Sequence, residues 1–217
     1  MCIIPTLEKE HYFAMESDTY LTIKSFSEGL FKDKGSRFHS YAYPVRSVEE
    51  IKSILDEIKK EYHSARHHCF AYILGYERLE YRSNDDGEPS GSAGKPILGQ
   101  INSHGLTNIL IIVVRYFGGK LLGVSGLINA YRSAAESAIN NAEIIVMTIQ
   151  DHYKITFQYS VINDVMKVLK EENVSGSESE FSTVCSMNIS FRLLSGERVL
   201  NRLSRIDGLE FRYIGRL

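Results

Sequence analysis

The sequence predicts two α+β domains joined near residue 141: residues 1–140, a glycine-punctuated mixture of strands and helices, and residues 141–217, a ferredoxin-like β-α-β-β-α-β sandwich. Three observations carry this reading. The run 108–117 (NILIIVVRYF) is β-branched and nearly continuous, the pattern of a central strand covered on both faces. It ends at Gly118-Gly119 and leads into an Ala- and Leu-rich helical stretch, so the first half mixes strands with helices. Past residues 141–151 the glycine punctuation gives way to a simpler alternation. With 217 residues, 43% of them hydrophobic, the chain can fill a core in each half. No solenoid-length repeat and no low-complexity tract competes with this division.

In the first domain, residues 19–46 read as extended chain with a strand at Ser36–Val45. Ser47-Val48-Glu49-Glu50 has the spacing of a capping box, in which Ser and Glu satisfy free amides reciprocally. Ile51, Ile54, Leu55 and Ile58 follow at helical intervals, one buried stripe. Residues 67–75 and 79–83 read as paired strands. The polar loop Asp85–Gly94 leads to a short helix near Pro96–His104, with the proline in its first turn. Strand 108–117 and a helix over Val124–Asn140 complete the domain. In the second, a strand at His152–Ser160, a helix at Val161–Glu172 and two strands across 174–193 come first. A helix capped by Ser195 and a strand at Leu209–Ile214 close the order.

Charge narrows the partners. The net charge is −2, with 16 basic against 17 acidic residues in 1–140 and 9 against 10 in 141–217. Non-specific nucleic-acid binders carry bulk positive charge, so an anion or RNA site here must be a local cluster. Cys2, Cys69 and Cys185 are odd in number and lack a C-x-x-C pair, which argues against a disulfide framework or structural zinc and for a reducing cytoplasm. No apolar tract reaches transmembrane length. The first fifteen residues, with Glu8 and Glu10, lack the basic start and apolar run of a secretory leader. No membrane partner and no cofactor is implied.

Four constellations bear chemistry. In Gly118-Gly119-Lys120-Leu121-Leu122-Gly123, glycines free the amides at a helix opening, where an anion is favoured, and Arg115 and Lys120 add charge. It is not a Walker A loop, because Leu follows Lys120. The other reading, and the favoured one, is a tight strand-to-helix turn without a ligand. The 85–95 loop offers Asp85, Asp86 and Glu88 as oxygen ligands for a hard cation, outside the EF-hand register. Alternatively its Gly91–Lys95 end, with Ser90, Ser92, Gly94 and Lys95, opens a second amide-rich anion pocket, or the loop is a solvated acidic turn. A single site shared by both segments would use Lys95 and Lys120 together. In Arg66-His67-His68-Cys69, strand alternation puts His67 and Cys69 on one face and His68 on the other. Cys69 beside a histidine can be read as a nucleophile, or as an inert buried thiol in an apolar run. Finally, Tyr41, Tyr43, Tyr72, Tyr76, Tyr81, Tyr116 and Tyr131 could stack bases or pack a core, whereas Tyr153, Phe157 and Tyr159 do not form a ribonucleoprotein signature.

Several of these segments together resemble the YigZ/IMPACT family: Lys34-Gly35-Ser36-Arg37-Phe38, His67-His68-Cys69-Phe70-Ala71-Tyr72, Asp85-Asp86-Gly87-Glu88-Pro89-Ser90-Gly91-Ser92-Ala93-Gly94 and Val113-Val114-Arg115-Tyr116-Phe117-Gly118-Gly119. They occur in family order, and Leu122-Gly123, Gly126-Leu127 and Ala130-Tyr131 extend the match. The resemblance implies a first domain like the second domain of a small-subunit ribosomal protein (a ribosomal-protein-S-five-domain-two-like fold shared with GHMP kinases). It implies a second domain like the last domain of elongation factor G. Eukaryotic relatives regulate translation by competing for an activator of the starvation-responsive initiation-factor kinase. The dipeptidase labels carried by some relatives find no paired-metal ligand set here. Two positions depart from the family pattern: Ser125-Gly126 replaces paired glycines, and Asn129 stands where an arginine usually precedes Ala-Tyr.

The candidate anion- or RNA-binding set is therefore Lys34, Arg37, His67, Ser90, Ser92, Gly94, Lys95, Arg115, Gly118, Gly119 and Lys120. The expected function is non-catalytic binding linked to translation or its stress regulation. RNA, the ribosome, a translation-associated protein or a phosphate-containing ligand would be the partner. The alternative is an enzyme acting on a phosphorylated small molecule or nucleic acid.

Overall fold

The computed structural model describes residues 18–180 and 183–216. They form two compact units, one of Tyr20–Met147 and the other of Asp18, Thr19 and the chain from Thr148 onward. The protein is a two-domain α+β chain. No helix among the described residues is long and apolar enough to cross a membrane.

The first unit begins with β1 (Thr19–Ile23), then β2 (Ser27–Asp33) and β3 (Ser36–Pro44), and α1 (Val48–Glu61) follows. Next come β4 (His67–Leu74), β5 (Glu80–Asn84), α2 (Gly94–Ser103), β6 (Ile109–Tyr116), α3 (Gly123–Asn140) and β7 (Ile144–Thr148). Five strands make an antiparallel sheet in the order β2-β3-β6-β4-β5. Central β6 explains its own composition. Ile109, Ile111 and Val113 pack with Ile97 and Ile101 of α2 and the alanines of α3, while Leu110, Ile112 and Val114 pack with Ile51 and Ile58 of α1. All six are fully buried, each worth roughly 1.5–3 kcal/mol relative to exposure. Two covered faces remove the need for polar alternation.

Ser47 caps α1 by accepting from the Glu50 amide at 3.2 Å. Glu50 reaches back one residue further than a capping box requires: its carboxylate accepts from the Arg46 amide at 2.8 Å. Residues 141–151, expected only as a change of style, include β7, which pairs with β1 in a separate two-stranded ladder.

The second unit runs β8 (Gln150–Gln158), α4 (Ile162–Glu171), β9 (Ser175–Glu180), β10 (Val184–Arg192), α5 (Gly196–Leu203) and β11 (Glu210–Arg216). Its antiparallel sheet has the order β11-β8-β10-β9, the ferredoxin-like arrangement. Cys185, Met187, Ile189 and Phe191 alternate inward from β10 onto Val165, Val168 and Leu169 of α4 and Val199 and Leu203 of α5. Ser195 does not cap α5. It ends a 3-10 turn over Leu193–Ser195, its backbone is already helical, and its side chain makes no capping bond. A side-chain cap needs the extended backbone that Ser47 has and Ser195 lacks. Asp18 is buried under a two-bond pairing with Arg192 (2.7 and 2.9 Å).

Candidate functional site

Strand alternation carries Arg115, the next position after Val114, onto the α2–α3 face at the end of β6. His67 lies opposite it on β4 and Phe38 on β3. Arg115 is only 7% exposed, and a guanidinium at that depth needs a counter-charge. Glu88 supplies it: Nη1 of Arg115 donates to its carboxylate at 2.5 Å, and the Tyr131 hydroxyl donates to the same oxygen at 2.8 Å. The guanidinium also lies 5.5 Å from the Phe38 ring centre and 5.7 Å from that of Phe117.

Cys69 belongs to this buried cluster. It donates to the Asp85 carbonyl at 3.0 Å, and its sulfur lies 3.3 Å from the Tyr131 hydroxyl. Burial pushes the thiol well above its ordinary range; the Tyr131 contact opposes this, and the carboxylates of Glu88, Asp86 and Asp85 reinforce it. Full burial and these contacts favour the inert-thiol reading of Cys69, because the thiolate is what reacts.

Beside the cluster opens a groove of about 660 Å³. Ser64, Arg66 and His67 line one part, and Arg115, Tyr116, Phe117 and Leu121 the other. The His67 ring is held by a 2.8 Å contact between Nδ1 and the Asp86 carbonyl. A carbonyl can only accept, so in the neutral ring Nδ1 carries the hydrogen and Nε2 the lone pair. That Nε2 is 4.0 Å from Glu88, beyond hydrogen-bond reach. On Arg115, Nη1 alone of the three guanidinium nitrogens is hydrogen-bonded; Nε is buried without a partner among the described residues. Phe117 is 55% exposed and Leu121 85%. Among the described residues, no acid lines the groove.

The acids of the 85–95 loop go to separate partners. The Asp85 carboxylate accepts from the amides of Gly91 (2.8 Å), Ala93 (3.0 Å) and Gly94 (2.8 Å). Burial raises its pKa, but these amides and the charge of Lys95 outweigh that and hold it below the ordinary carboxyl value. Asp86 accepts from the His68 amide at 2.7 Å, and Glu88 faces Arg115 and Tyr131. The three do not converge as a cation site. The amide-rich pocket expected at Gly91–Lys95 is likewise filled from within, by Asp85. Ser92 is buried and donates to the Pro89 carbonyl at 2.6 Å, while Ser90 is exposed.

The 118–123 turn is closed by backbone. A Cβ on Gly118 would sit 1.9 Å from the carbonyl carbon of Gly35, and the Gly118 amide donates to the Ser36 hydroxyl at 3.1 Å. The segment 34–38 and the paired glycines are thus two halves of one contact. Gly119 takes φ +82, a conformation suited to glycine. Lys34, Arg37 and Lys120 are exposed around it. Lys95 instead lines a second groove of about 360 Å³, between α2 and α3, with Arg132. Lys120 lines neither groove, so no shared Lys95–Lys120 pocket is formed by these two. Ser125 and Asn129 are exposed on α3.

Of the candidate residues, the larger groove brings together His67 and Arg115. It adds Arg66 and Phe117, which lay in segments singled out in the sequence but outside the candidate binding set. Their signal was positional: each lies just beyond a buried strand end, where side chains emerge from cover.

Residues 34–139 match the family model for the Impact N-terminal domain. IMPACT family member YvyE of Bacillus subtilis (strain 168) is 30% identical over 186 residues, covering 86% of this chain and 84% of that protein. IMPACT family member YigZ of Escherichia coli (strain K12) is 34% identical over 138 residues, covering 63% and 68%. A crystal structure described as that of a hypothetical protein superposes with a TM-score of 0.70 at 26% identity, covering 91% of this chain and 98% of that one. By sequence over most of its length, the chain belongs to the IMPACT family.

Proposed function

We propose that this protein regulates translation in the cytoplasm by binding RNA on the ribosome through the groove at the ends of β4 and β6. The observation that carries the reading is the unmatched state of that groove: a deep arginine whose Nη2 is unpaired, no acid among the described lining residues, and an exposed aromatic beside it. Family membership supports the link to translation that the sequence resemblance implies. Binding is favoured over catalysis because Cys69, Tyr131 and Glu88, the reactive groups beside the groove, are buried and bonded to one another. A nucleophile needs a lowered pKa or an adjacent base, and burial drives both Cys69 and Tyr131 upward.

Co-sedimentation with ribosomes tests this. The full chain should pellet with ribosomes well above an unrelated protein of similar net charge. The Arg66→Ala/Phe117→Ala double variant should lose most of that enrichment. Enrichment no greater than for the control protein, or unchanged in the double variant, would end the proposal.

A further inference from the structure

We infer that the groove at the ends of β4 and β6 is a nucleotide site, with the phosphate on the Arg66–His67–Arg115 side and the base against Phe117. This rests on the binding reading above and names its ligand class.

The two sides of the groove ask for different chemistry. On one, Arg115 gives Glu88 its Nη1 and keeps Nε sealed in the core, so Nη2, without a hydrogen bond among the described residues, is the donor left for a ligand. Glu88 is itself buried, 4.0 Å from His67 Nε2, and no described acid lines the groove, so an oxyanion entering it meets Arg115 and exposed Arg66. A charge-assisted bond from the Arg115 Nη2, with the exposed fork of Arg66 beside it, suits phosphate oxygens. His67 is already oriented: Asp86 holds Nδ1, which leaves Nε2 to take a hydroxyl hydrogen when neutral or to donate to phosphate when protonated.

On the other side, Phe117 and Leu121 present apolar surface to solvent. The Arg115 guanidinium lies near the Phe117 ring, the mixed cation–aromatic platform on which a base stacks. Ser64 and Tyr116, the latter on the α1 face of the sheet, add hydroxyls 3.4 Å apart to the lining, suited to a sugar. Inorganic phosphate would leave the aromatic ledge bare, and an apolar ligand would leave the arginine donors unmet. The volume of about 660 Å³ lies in the range of small-ligand pockets.

Titration calorimetry on the full chain, with adenosine 5′-monophosphate, adenosine and inorganic phosphate, tests the assignment. The monophosphate should bind saturably, and adenosine roughly 10-fold or more weakly. Phe117→Ala should weaken the monophosphate roughly 5-fold or more while leaving inorganic phosphate unchanged. Arg66→Ala should weaken both phosphates. Both side chains are exposed, so neither variant threatens the fold. An RNA trinucleotide with a 5′-phosphate, compared with its 5′-hydroxyl form, distinguishes an RNA end from a free nucleotide as the source. No saturable binding of the monophosphate, equal affinity for inorganic phosphate, or binding unmoved by both variants would overturn the inference. Ribosome enrichment that persists without nucleotide binding removes the nucleotide site and leaves the regulatory reading. Nucleotide binding without ribosome enrichment does the reverse.

Discussion

The two glycine-rich segments of the first unit look alike in sequence and are closed by different means. In Asp85–Gly94 the free amides at the start of α2 converge on the carboxylate of Asp85. In the turn after β6, Gly118 lies against the backbone of Gly35 and its amide goes to Ser36. One segment is an anion pocket that carries its own anion; the other is a steric lock between two turns. Neither leaves an open phosphate cradle, and the groove that remains is lined by strand-end side chains instead. Glycine beside a helix start therefore marks a place where amides or backbones come close. Whether a ligand or the protein itself meets them depends on what the fold brings opposite.

The sharpest break of this contrast is Gly118→Ala. The added methyl has backbone, not a flexible side chain, within 2.1 Å, so the cost should reach or exceed the roughly 3 kcal/mol at the top of ordinary overpacking. Differential scanning calorimetry should show the melting of the first unit lowered by roughly 6–12 °C. A loss under 1 °C would mean the two turns are not locked.

Asp85→Ala comes next, at roughly 0.5–2 kcal/mol, the usual range for a lost side-chain cap. The vacated amides should then behave as the open pocket that the parent lacks, so phosphate should restore more stability to the variant than it adds to the parent. Because the Asp85 pKa lies below the ordinary 3.8, its contribution is complete at neutral pH. It disappears as pH falls through the folded value, so urea-melt stabilities of parent and variant should converge in acid. Ser36→Ala should have the smallest effect, about 1 kcal/mol for one neutral acceptor at a partly exposed amide. An effect as large as that of Gly118→Ala would show that the lock depends on the hydrogen bond rather than on close approach.

Much of this was legible in the chain. The β6 run announced a doubly covered strand through its composition, and Ser47 announced α1 through its spacing. The β-α-β-β-α-β order of the second unit showed in plain alternation. Three kinds of feature were hidden. The β1–β7 ladder joins segments more than a hundred residues apart and has no local mark. The identity of the group meeting the Gly91–Gly94 amides depends on β5 delivering Asp85 to that spot, which spacing alone does not reveal. Arg115 was legible as a charge inside an apolar strand, and burial demanded a partner. That the partner is Glu88, with Tyr131 and Cys69 alongside, required the fold. Arg66 and Phe117 sat next to residues already singled out, but exposure at a strand end is a property of the sheet.

The pairing of β1 with β7 has a consequence for how the chain can be cut. The chain enters and leaves the first unit on neighbouring strands, so this unit is a cassette whose two ends meet. The second unit is correspondingly split in sequence: Asp18, from before the cassette, anchors to Arg192 and accepts from the Ile149 amide, both after it. A stand-alone piece bounded by β1 and β7 has ends close enough for circular permutation, whereas a second unit lacking Asp18 would lose the anion that its Arg192 grips.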